Sequence, residues 1–129
     1  MDKEKILLIE DERDMVYAVN LQLEAEGYDV VNAYDGYDGF EKAKSEKPDL
    51  IILDLMLPKI EGYKVCRMLK FDDKYKDIPV ILFTSRAQES DNEMSKEVGA
   101  DAYVTKPFEP EILLSKIKEL LKKNSKGLN

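Results

Sequence analysis

Three short apolar runs with no polar alternation constrain this chain more than any other feature. Ile6-Leu7-Leu8-Ile9 stops at Glu10-Asp11-Glu12, Leu50-Ile51-Ile52-Leu53 stops at Asp54, and Val80-Ile81-Leu82-Phe83 stops at Thr84-Ser85. Successive side chains of a strand point to opposite faces, so a strand with one wet face alternates. An unbroken run is a strand covered on both faces, which indicates a parallel sheet between helical layers. Weaker strand patterns occupy 29–33 and 101–105. Between them the apolar period is helical. Met15, Val19 and Leu23 recur every fourth residue before Gly27, Phe40 and Ala43 mark a second helix that ends before Pro48, and Gly62, Val65, Cys66 and Leu69 trace a third. A fourth helix is expected over 88–98, loosely anchored because Met94 and Val98 are its large apolar residues. A fifth begins at Pro110 and turns Leu113, Ile117, Leu120 and Leu121 inward, with Lys118, Lys122 and Lys123 toward the end that favours cations. Strand followed by helix, five times over, predicts a three-layer α/β/α sandwich on a five-stranded parallel sheet. The 129 residues suit one domain over 1–123 and a polar tail over 124–129.

Composition narrows the chemistry. The chain has no histidine, which removes Ser-His and Cys-His nucleophile pairs and every imidazole-ligated metal. Its one cysteine, Cys66, allows no intrachain disulfide, so a reducing, cytoplasmic setting is expected. Lys and Arg total 20 against 27 Asp and Glu, a net charge of −7. Such a surface repels phosphate backbones and anionic lipid, so neither nucleic acid nor membrane is expected as a direct partner. No apolar run approaches the roughly 20 residues that span a bilayer.

Ligands of an open parallel sheet bind beyond the carboxyl ends of its strands. Here those ends carry Glu10 and Asp11, then Asp54, then Thr84, then Lys106. Two like charges about 4 Å apart repel by about 4 kcal/mol at an effective dielectric near 20. Converging carboxylates therefore need a cation, a proton or separation, and an all-oxygen set suits Mg²⁺. With Lys106 and Thr84 beside them, the parts suffice to hold a phosphoryl group on Asp54. Each residue taken singly has a plainer reading. Glu10 and Asp11 could cap the following helix, and Thr84 is an ordinary strand threonine. Lys106 is a loop lysine, and Tyr103 a half-buried core tyrosine. Asp54, after four aliphatic residues, is expected to emerge at the sheet edge. Cys66 is expected to be an inert core thiol.

Taken together, Ile9-Glu10-Asp11-Glu12, Leu53-Asp54-Leu55-Met56-Leu57-Pro58 with Gly62, Thr84, and Lys106-Pro107-Phe108 resemble the CheY-like receiver domain of two-component response regulators. The resemblance spans about 5–123 and implies the strand order 2-1-3-4-5. It implies that Asp54 accepts a phosphoryl group from a histidine of a partner kinase or phosphotransfer protein. It also implies that Mg²⁺, for which Mn²⁺ can substitute, is held by Asp11, Asp54 and the main-chain carbonyl of Met56, with Glu10 acting through water. Lys106 pairs with the phosphoryl group, Thr84 hydrogen-bonds it, and Tyr103 switches with Thr84. Met56 and Arg86 tune the loss of the phosphoryl group, and Lys106-Pro107 is a cis peptide. Output passes through the fourth helix, fifth strand and fifth helix to a protein target or a second copy. By this resemblance the protein is a signalling phosphoacceptor that acts only on its own phosphorylation and dephosphorylation. Three departures stand out: Glu10 replaces the commoner aspartate, Glu109 stands at a capping position usually held by aspartate, and the fourth helix is unusually polar.

Two other functions compete. A Mg²⁺-dependent aspartyl phosphatase needs the pattern Asp-x-Asp-x-Thr after its first strand, whereas this chain reads Glu10-Asp11-Glu12-Arg13-Asp14. A flavodoxin-like binder of flavin or nucleotide needs a first loop rich in Gly, Ser and Thr. Here that loop is acidic.

Overall fold

The strands of the computed structural model are β1 (Lys5–Ile9), β2 (Asp29–Ala33), β3 (Leu50–Asp54), β4 (Val80–Thr84) and β5 (Ala102–Thr105). The helices are α1 (Arg13–Ala25), α2 (Gly36–Glu46), α3 (Gly62–Lys70) and α4 (Pro110–Gly127). The structure describes residues 3–84 and 99–127. The helix expected over 88–98, with Met94 and Val98, and the tuning residue Arg86 lie outside the described residues.

All strand pairs are parallel and the order is β2-β1-β3-β4-β5, as the resemblance implies. The missing alternation in the apolar runs has a direct cause. Ile6, Leu8, Leu50, Ile52, Ile81 and Phe83 enter one core with Val16, Val19 and Leu23 of α1 and Leu113, Ile117 and Leu121 of α4. Leu7, Ile9, Ile51, Leu53, Val80 and Leu82 enter the other, against Ala43 of α2 and Val65, Cys66 and Leu69 of α3. Either phase of these strands is therefore buried, and each such side chain contributes about 1.5–3 kcal/mol by leaving water. The edge strands β2 and β5 lack a neighbour on one side and are only partly covered, which is why their sequence patterns are weaker.

Two helices differ in detail from expectation. In α1 Val16 joins the buried stripe and Met15 is only partly covered. In α4 the backbone stays helical to Gly127, so 124–127 of the expected tail continue the helix.

Local contacts hold the ends of the elements. The side chain of Asp35 accepts the Asp38 N–H at 2.8 Å and caps α2. Lys70 Nζ, at the end of α3, donates to the carbonyls of Lys76 (2.9 Å) and Ile78 (2.8 Å) and pairs with Asp101 Oδ2 at 2.7 Å. The same Asp101 oxygen accepts the Val80 N–H at 2.8 Å, so one clamp ties α3 to the starts of β4 and β5. Cys66 is buried, and burial pushes its thiol up to about 12, which leaves it inert. Among the described residues no helix is long and apolar enough to cross a membrane.

Candidate functional site

The register brings the strand ends level. Ile9 lies beside Leu53 and Ala33, Asp54 beside Phe83, and Thr84 beside Thr105. Glu10 thus leaves β1, Asp54 closes β3, Thr84 closes β4 and Lys106 follows β5 along one sheet edge. The Lys106 N–H donates to the Thr84 carbonyl at 2.6 Å, and the Lys106–Pro107 peptide is cis. Phe108 then packs on Phe83 with ring centroids 5.0 Å apart, and Lys106 Nζ lies 5.5 Å from the Phe83 ring. These contacts hold the lysine over the ends of β3 and β4.

Carboxylate oxygens of Glu10, Asp11 and Asp54 lie within 4.8 Å of one another. Asp11 is exposed, whereas Glu10 is fully buried and Asp54 is only 7% exposed. Asp54 was expected to emerge from the sheet edge, and instead it is enclosed. Its Oδ1 accepts the Met56 N–H at 3.2 Å, and its Oδ2 lies 3.4 Å from Lys106 Nζ. Two protein donors thus replace part of its water shell, which is what makes a buried carboxylate tolerable.

Glu10 holds protein donors on both oxygens. Oε1 accepts from Lys106 Nζ at 2.7 Å and Oε2 from the Glu12 N–H at 3.2 Å. Lys106 is therefore closer to Glu10 than to Asp54, because the extra methylene of glutamate carries its carboxylate further across the site. The Glu12 N–H belongs to the residue before α1, whose own side chain makes no capping hydrogen bond.

Burial pushes the Glu10 carboxyl above its usual range, the nearby Asp54 charge adds to this, and the Lys106 hydrogen bond opposes it. Burial alone would pull Lys106 down. Its hydrogen bond to Glu10 and the charges of Asp54 and Glu10 outweigh that and leave it raised, hence protonated. Among the described residues one ammonium, paired with Glu10 and Asp54, stands beside a cluster of three acids, so a hard cation there is favoured. Its donors are all oxygen, as Mg²⁺ requires.

The remaining residues fall around this centre. Thr84 is buried at the end of β4. Met56 stands 76% exposed at the rim. Tyr103 on β5 is 40% exposed and belongs to neither apolar core, which corrects its reading as a core tyrosine. Gly62 has a role that the helical pattern did not indicate. Its N–H donates to the Leu55 carbonyl at 3.0 Å, and a Cβ there would collide with the Asp54 carbonyl. Only the motif Pro58 to Gly62 could have signalled it.

The sequence matches the response regulator receiver domain over residues 6–118. It is 41% identical over 120 residues to the alkaline phosphatase synthesis transcriptional regulatory protein PhoP of Bacillus subtilis, covering 93% of this chain and 49% of that protein. The chain spans about half the length of that curated relative. Among solved structures it resembles a CheY-like response regulator receiver domain protein from Methanospirillum hungatei, with a TM-score of 0.91 and 31% identity over 98% of this chain and 99% of that one. It also resembles the receiver domain of sensor histidine kinase PA1611 from Pseudomonas aeruginosa, described with magnesium coordinated in its active-site cleft. There the TM-score is 0.87 and the identity 26%, over 94% of this chain and 99% of that one.

Proposed function

The chain belongs to the response regulator receiver domain family, the phosphoacceptor unit of two-component signalling, and on that premise we propose that Asp54 is its phosphorylated residue. The observation that carries this is the enclosure of Asp54 at the end of β3, with Lys106 Nζ at 3.4 Å and the acids Glu10 and Asp11 beside it. One Asp54 oxygen bonds to phosphorus as the bond from phosphorus to the donor's imidazole nitrogen breaks, and that nitrogen keeps the electron pair. The donor is a sensor histidine kinase or a histidine phosphotransfer protein, since this chain has no histidine of its own. Lys106 moves from Glu10 toward the new phosphoryl oxygens, and the Thr84 hydroxyl donates to one of them. Asp11, Asp54 and the Met56 carbonyl would hold Mg²⁺ or Mn²⁺, with Glu10 at the edge of the set. The ion supplies positive charge to the phosphoryl oxygens.

Water attack at phosphorus reverses the state. The exposed Met56, together with Arg86, sets how readily water arrives. Tyr103 on β5 responds to Thr84, and the surface of β5, α4 and the 88–98 segment presents the change to a protein target or a second copy. The receiver unit extends through the end of α4 at Gly127. The Bacillus relative is a transcriptional regulator of which this chain spans half. A net charge of −7 makes direct DNA contact by this segment unfavourable. A cytoplasmic setting suits its single thiol.

Mass spectrometry after incubation with acetyl phosphate and Mg²⁺ tests the assignment. One hydroxylamine-labile phosphoryl group is expected, lost in Asp54→Asn and in chelator. Labelling that persists in Asp54→Asn, or that resists hydroxylamine, refutes it.

A further inference from the structure

A second cleft opens at the opposite end of the sheet from Asp54. It lies between the end of α2 and the segment 71–79 that joins α3 to β4. Its volume is about 500 Å³ and its lining is Lys44, Lys47, Pro48, Lys74, Tyr75 and Ile78. Three of six lining residues are cationic and none is acidic, in a chain whose net charge is −7. Lys44 is paired one turn back with Glu41 at 3.4 Å. Among the described residues the side-chain amines of Lys47 and Lys74 form no ion pair, while the Lys74 N–H donates to Asp72 Oδ1 at 2.8 Å. The α2 macrodipole accounts for a lysine at Lys44. It does not account for Lys74, which comes from a different element and faces the same space. Lys47 sits at the α2 C-cap with φ 50°, a left-handed geometry that favours glycine or asparagine. A lysine there is not chosen for its backbone.

We propose that this cleft binds a small aromatic phosphate, the chemistry of a nucleoside monophosphate, at a site separate from the phosphoacceptor. The volume falls within the range of small-molecule sites, about 300–1,000 Å³. Buried Pro48 with the half-buried Tyr75 and Ile78 supplies an apolar floor on which a ring can lie. Lysines act as point charges, which suits the rounded charge of phosphate, whereas planar carboxylates are better matched by arginine.

Amide NMR titration of the ¹⁵N-labelled chain tests this with AMP, ribose 5-phosphate, adenosine and a glutamate-rich peptide as separate probes. AMP is expected to give saturable shifts at residues 44–48 and 74–78 at millimolar or lower concentration. Lys47→Asn, which keeps the left-handed cap, and Lys74→Gln should each weaken AMP by about two- to fivefold, the range of exposed ion pairs. Tyr75→Ser should weaken AMP but not ribose 5-phosphate. Acetyl phosphate labelling at Asp54 should be unchanged in the two lysine variants, which establishes that they fold. Absence of saturable shifts, ribose 5-phosphate binding as well as AMP, or unchanged AMP affinity in the lysine variants would each overturn the proposal. Binding of the acidic peptide in place of AMP would overturn it in favour of a protein partner.

Discussion

Gly62→Ala separates the close approach of α3 to β3 from ordinary helix preference. A Cβ at this position would lie 2.7 Å from the Leu55 Cα and 2.9 Å from the Asp54 carbonyl carbon, with the Asp54 carbonyl oxygen nearer still. Ordinary contact begins at 3.4 Å, and the opposing atoms are backbone that cannot rotate away. The end of β3 and the first turn of α3 must therefore part, against the Gly62 N–H to Leu55 hydrogen bond at 3.0 Å. Overpacking of this kind costs about 1–3 kcal/mol, and the better helix propensity of alanine returns at most about 1 kcal/mol. With every opposing atom backbone and closer than 3.0 Å the cost lies in the upper part of that range, about 2–3 kcal/mol, so a net loss of about 1–2 kcal/mol lowers Tm by about 3–8 °C in a domain of this size. The displaced atoms belong to Asp54 itself, so acetyl phosphate labelling should slow by about 10- to 100-fold, the usual consequence of misplacing a reacting group by about 1 Å. Urea melts and a labelling time course read the two effects. Gly27→Ala is the control, because its Cβ meets nothing within 4 Å while its φ of +92° is strained. It should lose stability and label normally. If Gly62→Ala matches the parent chain in the urea midpoint, or loses stability with labelling untouched, the steric account of the site is wrong.

The other predictions concern charge. The folded value of Glu10 is raised, so the folded chain holds that proton more tightly than the unfolded one, and stability falls as pH rises from about 4.5 through the raised value. In chelator, Glu10→Gln should be more stable than the parent at neutral pH and show a shallower decline, and superimposable pH profiles would refute this. Asp35 is held below the usual carboxylate range by the Asp38 N–H, so its contribution is full above about 3.8 and is lost as pH falls through the depressed value. Asp35→Ala should cost about 1 kcal/mol at neutral pH. The gap to the parent chain should close in acid, and one that stays constant contradicts the capping role. Lys70→Met leaves two carbonyls and Asp101 without their donor and should cost about 1–3 kcal/mol. It should also speed hydrogen exchange at the Val80 amide, whose acceptor is Asp101, and unchanged exchange there would show that the clamp is not what orders the start of β4.

Sequence alone determined the layers, the sheet and the set of groups along its edge. Four consecutive aliphatic residues leave no face for water, so β1, β3 and β4 had to be covered on both sides wherever their partners came from in the chain. The acids and Thr84 that end those runs then had to collect where parallel strands terminate, which is why Glu10, Asp11, Asp54, Thr84 and Lys106 were legible as one group before any coordinates. Tertiary structure decided how the group divides. Whether Lys106 sits nearer Glu10 or Asp54 depends on register between strands far apart in sequence, which no local pattern carries; the longer side chain of Glu10 was legible, but not where its carboxylate would lie. The enclosure of Asp54 likewise comes from the Met56 amide and from Lys106 arriving after β5. The basic cleft is a product of tertiary structure too. Lys44 and Lys47 stand at the end of α2 and Lys74 in the segment after α3, and they share a space only because α2 and α3 pack side by side on the same face of the sheet.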